Sequence, residues 1–115
     1  MTETGHRWAL LVEYEGTDFV GWQRQKNGIS VQETVEKALE RLTGAAGVRV
    51  AGSGRTDAGV HALGQVAAFS TVKDLKRDNV IRGGNRFLPP SVRIRDARRV
   101  EAGFDPRRAA VERHY

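Results

Sequence analysis

The stretch SVQETVEKALERLTG, residues 30–44, constrains the fold more than any other part of the chain. Ser30 offers a hydroxyl to the free amides of a first helical turn, and Glu33 completes an S-x-x-E box. Val31, Val35, Ala38, Leu39 and Leu42 fall on one face at helical spacing. Glu33 and Lys37 stand one turn apart, and Gly44 supplies the stop. A helix with a single apolar face must lie on something. WALLVEY at 8–14 is the first candidate. There Trp8, Leu10, Val12 and Tyr14 alternate with Ala9, Leu11 and Glu13, the pattern of a strand covered on both faces and central in its sheet.

The other elements follow the same logic. VRVAG near 48–52 and GQVAAFS near 64–70 read as strands, and a second helix is expected from Asp74 to about Arg82, ended by Gly83 and Gly84. Beyond Pro89 and Pro90, SVRIRDARRV reads as a strand. Val92, Ile94 and then Ala97 or Val100 imply a bulge or change of register within it. The order strand–helix–strand–strand–helix–strand is the split βαβ arrangement. It predicts an α+β, ferredoxin-like fold: a four-stranded antiparallel sheet backed by two helices. Residues 1–7 are expected to be disordered and 8–100 to form the domain. The tail FDPRRAAVERHY, within 101–115, is expected to open with a short helical turn.

Composition narrows the function. The chain has 115 residues and no cysteine, which excludes disulfides and thiolate catalysis. No apolar run approaches the length of a membrane span, and MTETGHRW carries no hydrophobic signal segment. His6, His61 and His114 lack zinc spacing. A cytoplasmic protein without a structural metal or a membrane span is the expectation. Net charge is +5, and it is unevenly distributed. Residues 1–70 hold seven Lys/Arg against eight Asp/Glu, whereas 71–115 hold twelve against six, most of the twelve being arginine. Arginine's planar fork suits phosphate, so a polyanion such as nucleic acid is one reading and a well-solvated surface the other.

GSGRTDAGVHALGQ, residues 52–65, concentrates the chemistry. Thr56-Asp57-Ala58-Gly59 fits a type I turn, which puts Asp57 at the tip of a connection between adjacent strands. Arg55 is close enough in sequence to reach back and keep that acid ionised. The stretch matches neither phosphate-loop pattern. Three readings stay open on these residues: a turn braced by an Asp–Arg pair, a catalytic or ligand-reading acid, and metal binding.

Five blocks together resemble the tRNA pseudouridine synthase A family: G-R-T-D-A-G-V-H at 54–61, E-Y-E-G-T at 13–17, G-W-Q-R-Q at 21–25, S-V-Q-E at 30–33 and N-R-F-L-P at 85–89. The resemblance covers residues 8–115, and it implies a pseudouridine synthase N-terminal domain that bears the catalytic aspartate and binds RNA. It further implies that uridines in the anticodon stem-loop of transfer RNA are isomerised without a cofactor, by a protein that works as a homodimer. On this resemblance Asp57 is the catalytic acid, Arg55 its ion-pair partner, and Tyr115 the ring that stacks on the target base. His61 braces the turn. Gln23 and Arg24 support the active-site wall or RNA, while Arg77, Arg82, Arg86, Arg107 and Arg108 are candidate RNA contacts, and Arg93, Arg95, Arg98 and Arg99 crowd the last strand. Asn85, with Leu88 and Pro89, matches a turn that positions backbone.

Family members run to about twice this length, with a second similar domain closing the cleft. The chain is therefore expected to be the N-terminal half, with 101–115 leading into the other and a sheet edge left exposed. Two further readings compete. One is a non-enzymatic RNA-binding module that stacks bases on Trp8, Tyr14 and Phe69. The other is a structural fragment that pairs through its sheet edge.

Overall fold

A computed structural model describes residues 5–15, 30–52 and 62–107. Its elements run β1 (His6–Tyr14), α1 (Val31–Thr43), β2 (Ala51–Gly52), β3 (Ala62–Thr71), α2 (Arg77–Phe87) and β4 (Val92–Val100). The strands form one antiparallel sheet in the order β2-β3-β1-β4. This is the split βαβ, ferredoxin-like fold expected from the sequence. Among the described residues, no helix is long and apolar enough to cross a membrane.

β1 is central, between β3 and β4. Its Trp8, Leu10, Val12 and Tyr14 side chains are buried, and Ala67 and Phe69 of β3 share their face. Val31, Val35, Ala38 and Leu39 of α1 and Val80 of α2 join the same core. Both helices therefore cover one side of the sheet. The other side carries Arg7, Ala9, Leu11 and Glu13 of β1, with Leu11 37% exposed.

The first helix forms as its sequence dictates. Ser30 Oγ accepts from the Glu33 amide at 3.1 Å, and the Gly44 amide donates to Glu40 O with Gly44 at φ 75°, the left-handed region that glycine enters freely. Lys37 Nζ sits 3.3 Å from Glu33 Oε2. The second helix departs from expectation. It starts at Arg77 rather than Asp74, and it runs through Gly83 and Gly84 to Phe87. The glycines are there for close approach, not termination: a β-carbon on Gly83 would stand 2.5 Å from Leu42 Cδ1, and one on Gly84 2.5 Å from Ile94 Cδ1. Pro89 stops the helix by forcing Leu88 out of helical geometry, at ψ 148°.

β1 likewise begins earlier than expected. Residues 1–4 lie outside the described residues, but His6 and Arg7 pair with Thr71 and Ser70, so these two residues of the segment 1–7 belong to the strand. Arg7 explains why. Its Nε donates to Phe104 O at 2.6 Å and its Nη1 to Ser70 Oγ at 2.9 Å, tying both β3 and the chain beyond β4 to the strand. β2 is shorter than expected, at two residues. β4 does shift register: Leu11 faces Asp96 whereas Val12 faces Ile94. The buried positions accordingly move from Val92 and Ile94 to Ala97.

Helix side chains finish both rims of the sheet. On the β2 side, Glu36 Oε2 accepts from the Val50 amide at 2.9 Å, and Gln32 Nε2 donates to Val50 O at 2.8 Å. On the β4 side, Asn85 Oδ1 accepts from the Ile94 amide at 2.7 Å, and Asn85 Nδ2 donates to Ile94 O at 3.0 Å. Arg93 adds bonds to Asn85 O, Leu88 O and Pro89 O. The β4 edge is thus occupied at Ile94, because the asparagine carboxamide takes the place of a neighbouring strand. Asn85→Ala would strand that amide and carbonyl, and is expected to lower stability by about 1–3 kcal/mol. Urea denaturation checks this; an unchanged midpoint would remove Asn85 from that role.

Candidate functional site

The elements converge on one end of the sheet. β3 starts at Ala62, opposite Tyr14 at the end of β1, and β4 starts at Val92, also opposite Tyr14. The Glu15 amide donates to Ser91 O at 2.9 Å, joining β1 to the turn before β4. β2 runs toward the same end, finishing at Gly52 opposite Ala67. In sequence, residues 16–29 follow Glu15 and residues 53–61 join Gly52 to Ala62. Asp57, Arg55, His61, Gln23, Arg24, Arg108 and Tyr115 lie outside the described residues.

A groove of about 380 Å³ opens at this end, lined by Glu13, Tyr14, Glu15, Pro90, Ser91, Arg93 and Arg95. Across it Arg95 Nε donates to Glu13 Oε1 at 2.6 Å, bridging β4 to β1. The Arg95 side chain remains 56% exposed, and its held guanidinium is suited to an anionic or carbonyl oxygen. Sequence reasoning placed Arg95 among the arginines of the last strand but missed its partner. An acid on the exposed side of the neighbouring strand was the available signal.

The other candidate arginines do not form one patch. Arg77 opens α2, instead of flanking its end, and its Nη2 lies 2.6 Å from Asp96 Oδ1. Arg82 and Arg86 are exposed one turn apart on the same helix. Arg107 is bound to Asp105 of its own turn at 3.2 Å. It sits on the segment that Arg7 fastens at Phe104, on the side of the sheet away from the helices. Arg93 turns to the end of α2. Arg99 lies over the Trp8 ring, 5.5 Å from its centroid, and donates to Asp74 and to Leu75 O.

Two carboxyls feel these cations. The Arg99 hydrogen bond, then its charge, holds Asp74 below the ordinary 3.8. The Arg77 hydrogen bond, followed by that of the Ala97 amide, does the same for Asp96. Both pairs are exposed and readily exchanged for a better counter-charge. A depressed carboxyl favours folding above its unfolded pKa, and that contribution fades as pH falls through the folded value. In an NMR pH titration Asp96 is expected to titrate below 3.8 and to rise toward it in Arg77→Ala; no rise would mean that Arg77 does not set it.

Trp8 and Tyr14 are 2% exposed and Phe69 fully buried, all three on the helix-covered side. They are closed to stacking by a nucleotide, so the sheet-surface RNA-binding alternative loses its rings. A fold of this kind hosts many functions, and sequence kinship decides among them. A family profile described as tRNA pseudouridine synthase matches residues 10–107, and the chain belongs to that family. Its curated relatives carry the name tRNA pseudouridine synthase A. The protein of that name from Geotalea daltonii is 51% identical over 106 residues, covering 92% of this chain and 43% of the relative. The one from Myxococcus xanthus is 51% identical over 109 residues, covering 95% and 41%. The chain therefore spans about two-fifths of the length of these relatives.

Proposed function

We propose that this chain is the aspartate-bearing half of a transfer RNA pseudouridine synthase, acting on uridine in the anticodon stem-loop. The observation that carries this reading is the family match over residues 10–107, which spans the whole G-R-T-D-A-G-V-H block. The burial of Trp8, Tyr14 and Phe69 counts against the non-enzymatic alternative.

The isomerisation breaks the N1–C1′ bond of uridine, turns the uracil and rejoins it through C5, with no redox change and no group lost. Asp57 acts on the ribose, either as nucleophile at C1′ or as base at C2′. Either role needs an ionised carboxylate, which Arg55 maintains. The uridine leaves its stack to reach the acid, at a cost of a few kcal/mol. The Tyr115 ring beneath the flipped base returns about 1–3 kcal/mol. His61 braces the bend, and Gln23 and Arg24 stand at the wall of the site. Arg77, Arg82, Arg86, Arg107 and Arg108 meet RNA phosphate, those now bound to Asp96 or Asp105 exchanging a carboxylate for a phosphate. In the full-length form the protein is a cytoplasmic homodimer whose second half closes the cleft and excludes water.

Joining this chain to the remaining C-terminal portion of the Geotalea daltonii relative and assaying uridine isomerisation on transfer RNA tests the reading. Asp57→Asn is expected to cut turnover by roughly 10²–10⁴-fold or more while transfer RNA binding survives. Retained turnover would remove Asp57 from its role.

A further inference from the structure

A second groove, of about 520 Å³, lies at the opposite end of the sheet, between the start of β1, the end of β3 and the loop after α1. Arg7, Arg49 and Lys73 line it together with the hydroxyl-bearing Thr43, Ser70 and Thr71, and no lining residue among the described ones is acidic. The nearby described acids are already engaged, Glu40 at the rim of the groove itself. Glu40 Oε2 accepts from the Gly47 and Val48 amides, and Asp74 holds Arg99.

The three cations are differently engaged. Arg7 is committed at Nε and Nη1 to Phe104 and Ser70. Lys73 Nζ makes one 3.3 Å bond, to Leu42 O, which leaves ammonium protons to spare. Arg49 is exposed and has no ion-pair partner among the described residues. It stands two residues before Ala51, which pairs with Ala68, on the chain that leads past Ser70. Three positive charges line one groove in which no described lining residue is acidic, a site that an anion completes.

We propose that this groove binds the phosphodiester backbone of RNA at a point remote from the reacting uridine. A polymer fits better than a small anion. The groove is open rather than enclosed, its cations come from three separate elements, and the 59% exposed Val72 gives a sugar an apolar rest. Arg7 and Tyr14 are seven residues apart on β1, roughly 24 Å at strand rise, a span that one RNA chain covers. The inference rests on the RNA-modifying reading above and adds a contact outside the target hairpin.

The test measures binding of the 115-residue chain to whole transfer RNA and to an isolated anticodon stem-loop hairpin across a range of salt. Arg49→Ala/Lys73→Ala is expected to bind whole transfer RNA about tenfold or more weakly, with the slope of log K against log salt shallower by roughly 1–2, and to bind the hairpin as the parent chain does. Both positions are exposed, and an unchanged melting temperature verifies that the double variant is folded. Unchanged affinity and slope on transfer RNA would overturn the proposal, as would an equal loss on the hairpin. If the parent chain binds neither RNA, the underlying RNA-modifying reading fails first, before any variant is compared.

Discussion

Side chains reaching from each helix to a rim of the sheet hold this structure in its arrangement. α1 takes the amide and carbonyl of Val50 through Glu36 and Gln32, and α2 takes those of Ile94 through Asn85. Buried apolar surface brings the helices onto the sheet, but dispersion and hydration are indifferent to where along the sheet they stop. The directional bonds decide that. They also fix which side of the sheet is covered, and so leave Arg7, Leu11 and Glu13 on the bare side while Trp8, Leu10 and Val12 are sealed beneath the helices.

The positive charge of the chain is organised by that asymmetry. Arg93 and Arg99 look from the sequence like their neighbours, yet they are used internally, one on the carbonyls ending α2 and the other over Trp8. Arg49, Arg82 and Arg86 face solvent without ion-pair partners among the described residues. A count of arginines therefore overstates the charge offered to a polyanion, and their distribution separates fold-building cations from available ones. Exposed pairs such as Arg77–Asp96 fall between the two groups.

Elements governed by local rules were legible from the sequence. The cap, apolar face and stop of α1 sit within one continuous stretch, and the alternation of β1 reports its own burial. The register change in β4 was also legible, since the apolar positions of SVRIRDARRV slip by one. What escaped was set by distant partners. Gly83 and Gly84 read as a terminator because nothing nearby announces Leu42 and Ile94 pressing on the helix. His6 and Arg7 read as loose because their support comes from Ser70 and Phe104. The chemistry of the site was legible only as a family block: spacing alone left Asp57 among a turn, a catalytic acid and a metal ligand, and the Glu13–Arg95 bridge depends on a pairing that no single stretch reveals.

The register change in β4 has an evolutionary side. Upstream of it the even-numbered residues Val92 and Ile94 face the helices, and downstream the odd-numbered Ala97 and Arg99 do. Losing the one extra residue of the kink would leave every later residue opposite its present partner, whereas losing one residue further along would exchange the surroundings of everything after it. Without Arg98, for instance, Arg99 would be put out beside Ala9 and Val100 driven opposite Trp8. Point substitutions along this strand are thus separable events, whereas a one-codon deletion beyond the kink rewrites the electrostatics of the remaining margin at once. Length conservation over Ala97–Val100 is the trace such a constraint would leave in related genes.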